Sequence, residues 1–251
     1  MCLILLGRYA HPDYELVLAA NRDELFGRPT ARAAWWEDHP DVLGGRDLDQ
    51  MGTWLGITRS GRWAAITNFR GGAAERKDAP SRGGLVGDFL TGRSSTGEYL
   101  ELLQREGGRY NGYNLLFATG GSVAYQSNRG AASIEISPGI HGLSNHLLDT
   151  SWPKVVRGKE RLAALLAAQG PLDIESLFDL LSDRSPAAAD ELPATGVGPA
   201  LERILSPIFI DGDGYGTRCS TVLLIGRSGD VYFEERDLRG SARRRFEFSI
   251  E

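Results

Sequence analysis

The chain reads as an α+β protein in which two largely antiparallel sheets lie face to face, each covered on its outer side by helices. Three observations carry that reading. Short apolar runs recur along the chain with turn residues between them, some as tight as Arg227-Ser228-Gly229-Asp230, which is the pattern of hairpins. Helical spacing of apolar residues comes in paired segments instead of alternating with every strand. The resulting order of strands, two helices, strands, two helices and strands suits two facing antiparallel sheets better than a parallel doubly wound one.

The first element is Cys2-Leu3-Ile4-Leu5-Leu6, and after the turn signal His11-Pro12-Asp13 a second apolar run, Tyr14-Glu15-Leu16-Val17-Leu18-Ala19-Ala20, returns beside it as a hairpin. Further strands are predicted at 53–58, 63–67, 114–118, 122–125, 133–136, 221–225 and 230–233. Arg243-Arg244-Arg245, running into Phe246-Glu247-Phe248, reads as the solvated edge of a last strand. Helices are predicted at 84–91, 96–105, 152–169 and 174–182. In the third of these Asp149, Thr150 and Ser151 offer N-caps and Pro153 fits the first turn. Val155, Leu162, Leu165 and Leu166 form its stripe, and Gly170 is the stop. The glycine pairs at 44–45, 71–72, 83–84, 107–108 and 120–121 read as turns. Residues 183–199 read as a loop that connects elements or covers a site, the connector being the ordinary role.

A length of 251 residues, 41% hydrophobic and 24% charged, describes one soluble globular domain over 1–251. A net charge of −5 gives no electrostatic reason for a nucleic-acid partner. No run approaches the roughly 20 apolar residues of a membrane span, and the N-terminal run is too short, and lacks the basic flank, for a signal peptide. Two cysteines give no disulfide framework, which fits a reducing compartment, and a cytoplasmic location is expected. Cys219 reads as a buried small hydrophobe. No phosphate-cradling glycine motif appears, and His11, His39, His141 and His146 lack metal-ligand spacing, so neither cofactor nor metal is expected. His146, next to Asn145, leaves a Cys-His mechanism open.

The chemistry concentrates at the N-terminus. Loss of Met1 would make Cys2 a residue carrying both a thiol and a free α-amine, a nucleophile with its own base. The hairpin return brings Asn21-Arg22-Asp23-Glu24 level with Cys2, so Arg22 can favour thiolate while Asp23 orients the amine. Asn68 and Asn145 each end an apolar segment, where their amides can serve an oxyanion or cap a turn. Arg218 enters a buried strand and calls for a carboxylate, Asp23 or Glu24, in a catalytic setting or a structural ion pair.

Taken together, Met1-Cys2, Asn21-Arg22-Asp23-Glu24, Arg28-Pro29-Thr30, Gly44-Gly45-Arg46-Asp47, Gly52-Thr53-Trp54-Leu55-Gly56, Thr67-Asn68, Ser81-Arg82-Gly83, Tyr125-Gln126-Ser127-Asn128-Arg129, Gly142-Leu143-Ser144-Asn145, Trp152-Pro153-Lys154 and Tyr215-Gly216-Thr217-Arg218-Cys219-Ser220-Thr221 resemble the NRDE family, also called the Transport and Golgi organization 2 family, from residue 1 to about 235. That pattern is in turn similar to cysteine N-terminal nucleophile hydrolases such as choloylglycine hydrolases and penicillin acylases. The resemblance implies a four-layer αββα sandwich, Cys2 as nucleophile, Arg22 and Asp23 as the pair beside it, Asn68 and Asn145 as the two asparagines and Arg218 as the late arginine. The contiguous Arg-Asp spacing leaves open whether Asp23 or Glu24 orients the amine. It also implies a link to haem trafficking or to lipid and acyl-CoA homeostasis, although no Cys-Pro dipeptide offers a familiar haem ligand. Two functions follow: hydrolysis of an amide or thioester of a small molecule, or non-catalytic carriage of an apolar ligand such as haem or an acyl chain or acyl-CoA.

Overall fold

The protein is described by a computed structural model covering residues 2–71, 75–130, 133–168, 170–238, 240 and 242–251. The hairpin at the N-terminus forms as expected: β1 (Cys2–Arg8) pairs antiparallel with β2 (Tyr14–Leu25), with Cys2 opposite Arg22. On the far side of β2 lies β11 (Tyr215–Gly226), followed by β12 (Asp230–Asp237) and β13 (Arg243–Ser249), while β10 (Gly139–Leu143) flanks β1. These make a sheet in the order β10-β1-β2-β11-β12-β13. The second sheet runs β3 (Thr30–Trp35), β4 (Val42–Asp47), β5 (Leu55–Thr58), β6 (Trp63–Asn68), β7 (Tyr113–Thr119), β8 (Ser122–Ser127) and β9 (Ile134–Glu135). Its neighbours, like those of the first sheet, pair antiparallel.

Strand alternation divides the apolar residues into three layers. Ile4, Leu6, Leu16, Leu18, Leu223 and Phe233 meet Leu43, Ile57, Trp63 and Leu116 between the sheets. The opposite residues of β1, β2 and β11, such as Leu3, Leu5, Val17 and Leu224, pack beneath α3 (Pro153–Ala167) and α4 (Ile174–Leu181). Leu115 and Phe117 of β7 pack with Leu85, Phe89 and Leu103 under α1 (Arg82–Thr91) and α2 (Thr96–Glu106). Fully burying one such side chain contributes roughly 1.5–3 kcal/mol. The architecture is the αββα sandwich.

Several local readings are corrected. Gly44 and Gly45 lie inside β4, not in a turn, and Gly83 and Gly84 lie in the first turn of α1. Gly107 and Gly108 form a 3₁₀ turn after α2. Only Gly120-Gly121 is the hairpin turn the dipeptide signals, with φ of 61° and 82° joining β7 to β8. Gly72, Met1 and Gln169, the expected end of the third helix, lie outside the described residues. The N-cap of α3 is Trp152, which makes no side-chain cap bond, with Pro153 behind it. Strands β3, β4 and β10 carry no clear signal in the sequence because alanine and glycine dilute their apolar pattern. Residues 183–199 do connect elements, ending at a short helix, α5 (Pro199–Ile204).

Asp149, displaced from its expected capping role, adopts the left-handed conformation at φ 57° and gathers a polar cluster. Its carboxylate is 2.8 Å from His141 Nδ1, and it accepts from the Gly142 amide at 2.9 Å and from Lys159 Nζ at 2.5 Å. Burial opposes its charge, but the bonds from His141 and Lys159 outweigh burial and hold the carboxyl at about 2, while His141 is pushed above its ordinary value by that same bond. The stabilisation is therefore present above the ordinary carboxylate range and lost as pH falls toward 2; the His141 share is present at acid pH and fades as pH rises through its raised value. Asp149→Asn keeps a residue that tolerates positive φ, and it should cost about 1 kcal/mol at pH 6, read by urea unfolding, with the wild-type and variant curves converging near pH 2.

Candidate functional site

The site forms where β1 begins and where β2 runs past it. Cys2 is half-buried, its thiol accepts the Asp23 amide N–H, and its carbonyl accepts from Ser144 Oγ at 3.1 Å. Burial pushes the thiol up, Asp23 adds to the rise and Arg22 opposes it. Arg22 favours the thiolate as expected, but desolvation outweighs the guanidinium and favours the neutral thiol, which needs a base.

Arg22 and Asp23 are both buried, on opposite faces of β2. The Arg22 guanidinium lies 4.1 Å from the Trp54 ring centroid, donates to Thr30 Oγ1 at 3.0 Å and sits 3.8 Å from Glu24. Asp23 accepts from Thr217 Oγ1 at 2.7 Å, while Tyr215 donates to its backbone carbonyl at 3.3 Å. Burial raises the Asp23 carboxyl above its usual range, with Lys154 and Thr217 drawing it back. Glu24 is more exposed and pairs with Arg28 at 3.9 Å, so the buried carboxylate beside the thiol is Asp23. Asn21, the first of the four, is structural: its amide donates to the carbonyls of Leu181 and Ile208 at 2.8 and 2.9 Å and ties β2 to the helical layer.

Cys2, Arg22, Asp23 and Asn68 line one cleft of about 340 Å³. Its walls include Trp54, Ile66 and the first turn of α1, and Arg28, Asp47, Asp49 and Lys77 give it charge. Asn145 does not line the cleft. It is fully buried, donates from Nδ2 to the Asn68 carbonyl at 3.0 Å, and its own carbonyl accepts the Arg70 amide at 2.6 Å. Asn145 thus fixes the end of β6 from which Asn68 projects.

Arg218 also stands apart. It falls at the register shift between Thr217 and Cys219, where β11 bulges against β2, and its Nη1 donates to the carbonyls of Leu25, Phe26 and Arg28 at 3.2, 3.1 and 2.6 Å. The expected carboxylate partner is replaced by three carbonyls, and Arg218 lines a second cavity with Arg22, Trp54, Cys219 and Glu235. His146 is held between the Phe69 and Trp152 rings, with Nδ1 3.0 Å from Thr150 Oγ1, away from the Cys2 cleft. Among the described residues no group of three or more His, Cys, Asp or Glu is placed to hold a metal ion.

Trp54 and Lys154 are the members that residue reasoning missed. Lys154 is fully buried behind Asp23 and donates to the Leu205 carbonyl at 3.1 Å. Its signal was legible: it falls in phase with Gly158, Leu162 and Leu166 at four-residue intervals, on the buried face of α3. Trp54 had no such signal, since its partner lies in the other sheet.

The same fold is found in cysteine and related N-terminal nucleophile hydrolases. The chain is similar to a Caenorhabditis elegans N-acylethanolamine-hydrolyzing acid amidase ortholog, with a TM-score of 0.53, 12% identity, and 89% of this chain and 92% of the other covered. It is likewise similar to a conjugated bile acid hydrolase from Clostridium perfringens, with a TM-score of 0.52, 12% identity and coverage of 99% and 98%. At such identities the likeness speaks for fold, an N-terminal nucleophile hydrolase-like sandwich. The chain belongs to the Transport and Golgi organisation 2 family, whose model matches residues 1–240. It is 36% identical to the human Transport and Golgi organization protein 2 homolog over the full length of both, and 30% identical to the Drosophila melanogaster protein over 96% of this chain and 93% of that one.

One close approach holds the site together. A Cβ on Gly45 would stand 2.0 Å from Trp54 Cη2, so glycine is what allows the indole to lie across β4 under Arg22. Gly45→Ala should displace Trp54 and cost about 2 kcal/mol in urea unfolding, the usual scale of overpacking.

Proposed function

We propose that the protein is a cysteine N-terminal nucleophile hydrolase acting on an amide or thioester bond of a small molecule. The observation that carries this reading is the placement of Cys2 at a cleft, with its thiol bonded to the Asp23 amide and Asn68 beside it. After Met1 is removed, the α-amine of Cys2 takes the thiol proton as Sγ attacks the carbonyl carbon. The carbonyl π electrons move to oxygen, and the Asn68 amide donates to that oxyanion. When the oxyanion collapses, the leaving amine or thiolate departs with the proton from the ammonium, leaving an acyl-thioester on Cys2. Water then attacks, giving its proton to the amine, and release of the acid restores the thiol. In this scheme Asp23 orients the amine, Arg22 sets the charge around Cys2, Asn145 positions Asn68, and Arg218 positions the segment after β2.

The competing role, a carrier for haem, an acyl chain or acyl-CoA, fits the cleft less well. Arg22, Asp23, Glu24, Arg28, Asp47, Asp49 and Lys77 line it, and an apolar ligand would bury these charges at a cost of several kcal/mol. No helix of the described residues is long and apolar enough to cross a membrane. We take the site of action to be cytoplasmic.

Intact mass measurement with a cysteine-directed acylating probe tests the reading. A chain that starts at Cys2 should gain one acyl group, and Cys2→Ala should gain none while its unfolding midpoint stays unchanged and turnover falls by about 10³-fold or more. A chain that retains Met1 and takes up no acyl group would return the protein to the carrier role.

A further inference from the structure

Cys2 begins β1 in one sheet and Asn68 ends β6 in the other, so the gap between nucleophile and oxyanion donor is a distance between two sheets. Hydrogen bonds within either sheet leave that distance open. The ladder between β1 and β10 stops at the Ile4–Leu143 pair, two residues short of Cys2. The two residues that follow β10, Ser144 and Asn145, then bond to both sides of the gap.

Ser144 Oγ donates to the Cys2 carbonyl at 3.1 Å, a contact across 142 residues. The Ser144 carbonyl accepts from Thr67 Oγ1, one residue before Asn68, at 2.6 Å. Asn145 Nδ2 donates to the Asn68 carbonyl at 3.0 Å, and the Asn145 carbonyl accepts the Arg70 amide at 2.6 Å. Two consecutive residues thus clamp the end of β6 to the start of β1. The clamp is backed from within the second sheet: Thr67 Oγ1 accepts from Asn114 Nδ2 at 3.1 Å, and Asn114 Oδ1 accepts from the Tyr125 hydroxyl at 2.9 Å. The single proton of the Ser144 hydroxyl has a second acceptor in reach, Asn145 Oδ1 at 3.3 Å, so one oxygen touches both arms of the clamp. Ser144, Thr67, Asn114 and Asn145 are all buried, and a bond lost among them is not made good by solvent without cost.

We propose that Ser144 is a positioning residue for the reaction at Cys2, its hydroxyl setting the distance between the nucleophile and the oxyanion donor by holding the Cys2 carbonyl to the segment that carries Asn68. This rests on the reading of Cys2 as the nucleophile. Once Met1 is removed, Cys2 is a chain end with one peptide link, to Leu3, and hydrogen bonds must fix its orientation. An oxyanion donor acts only from about 3 Å, and a misplacement of about 1 Å can cost as much as about 10²-fold in rate.

Two reagents separate positioning from stability. Acylation of Cys2 by p-nitrophenyl acetate passes through a tetrahedral oxyanion, whereas alkylation by iodoacetamide displaces iodide and forms none. On a chain that begins at Cys2, acylation is followed by release of p-nitrophenolate and alkylation by intact mass, each with the Cys2→Ala rate subtracted. Ser144→Ala should slow acylation about tenfold and leave alkylation within about twofold of the parent. Ser144→Thr, which keeps the donor, should retain most of the acylation rate. If Ser144→Ala is too unstable to purify, Ser144→Gly removes the same hydroxyl, with the same split expected. A parent acylated at Cys2 whose Ser144→Ala variant is acylated as fast, or loses acylation and alkylation in parallel, would make Ser144 a structural serine and overturn this proposal alone. A parent inert to the ester would overturn it together with the reading of Cys2 as the nucleophile.

Discussion

Everything at the site depends on two adjacent charges that β2 buries on opposite faces. A strand turns successive side chains to opposite sides, so Arg22 and Asp23 cannot neutralise each other within the sheet. Arg22 goes inward, where the second sheet supplies Trp54 and Thr30. Asp23 goes outward, where β11 supplies Thr217 and the helical layer supplies Lys154. Each desolvated ion costs several kcal/mol unless it is matched, so the dipeptide imposes demands on both layers of the sandwich at once. Cys2 sits opposite Arg22 in register and takes its hydrogen bond from the Asp23 backbone, which fixes the thiol to the point where the two demands meet.

The inward demand also shapes the space around Cys2. Arg22 and Trp54 line both the Cys2 cleft and the second cavity, so their stack forms the wall between the two. On the far side of that wall stands Cys219, opposite Arg22 on β11 just as Cys2 is on β1. The two thiols share a guanidinium but not an environment. Cys219 is held well above its ordinary value by burial and by Glu235, whereas Cys2 opens on a charged cleft. Arg218, which resembled a charge for the active site, belongs to the second cavity and braces the carbonyls that carry β2 into β3.

Much of this is legible in the sequence. The hairpin register follows from two apolar runs and a Pro-containing turn, and it alone places Arg22 beside Cys2. The layer order follows from pairs of helices set between groups of strands. What remained hidden depends on partners far apart in the chain. Asn145 reads as an oxyanion donor because an asparagine at a segment end can be one; that its amide is committed to the Asn68 carbonyl is a contact across 77 residues. Gly44-Gly45 reads as a turn because the residues that need the space, Leu55 and Trp54, belong to the next strand and the loop before it. Lys154 is visible as a cation out of place on an apolar stripe, but only the fold shows that its ammonium is buried and donates to the Leu205 carbonyl, 51 residues on.

The neutral resting state of Cys2 determines which base the proposed reaction can use. Burial and Asp23 together favour the thiol, so a proton must leave sulfur as the bond to carbon forms. His146 is held in an aromatic stack away from the cleft, and a guanidinium such as that of Arg22 has no lone pair to offer. An α-amine with an ordinary value of about 8 is matched to the task, but only as a free amine, since the nitrogen of a Met1-Cys2 peptide bond is delocalised into its carbonyl and accepts no proton. A carboxylate in a dry site is what would keep such an amine at hand, and Asp23, bonded to Thr217, is the buried carboxylate beside the thiol. Removal of one N-terminal residue is thus what the proposed proton transfer requires, since it creates the base.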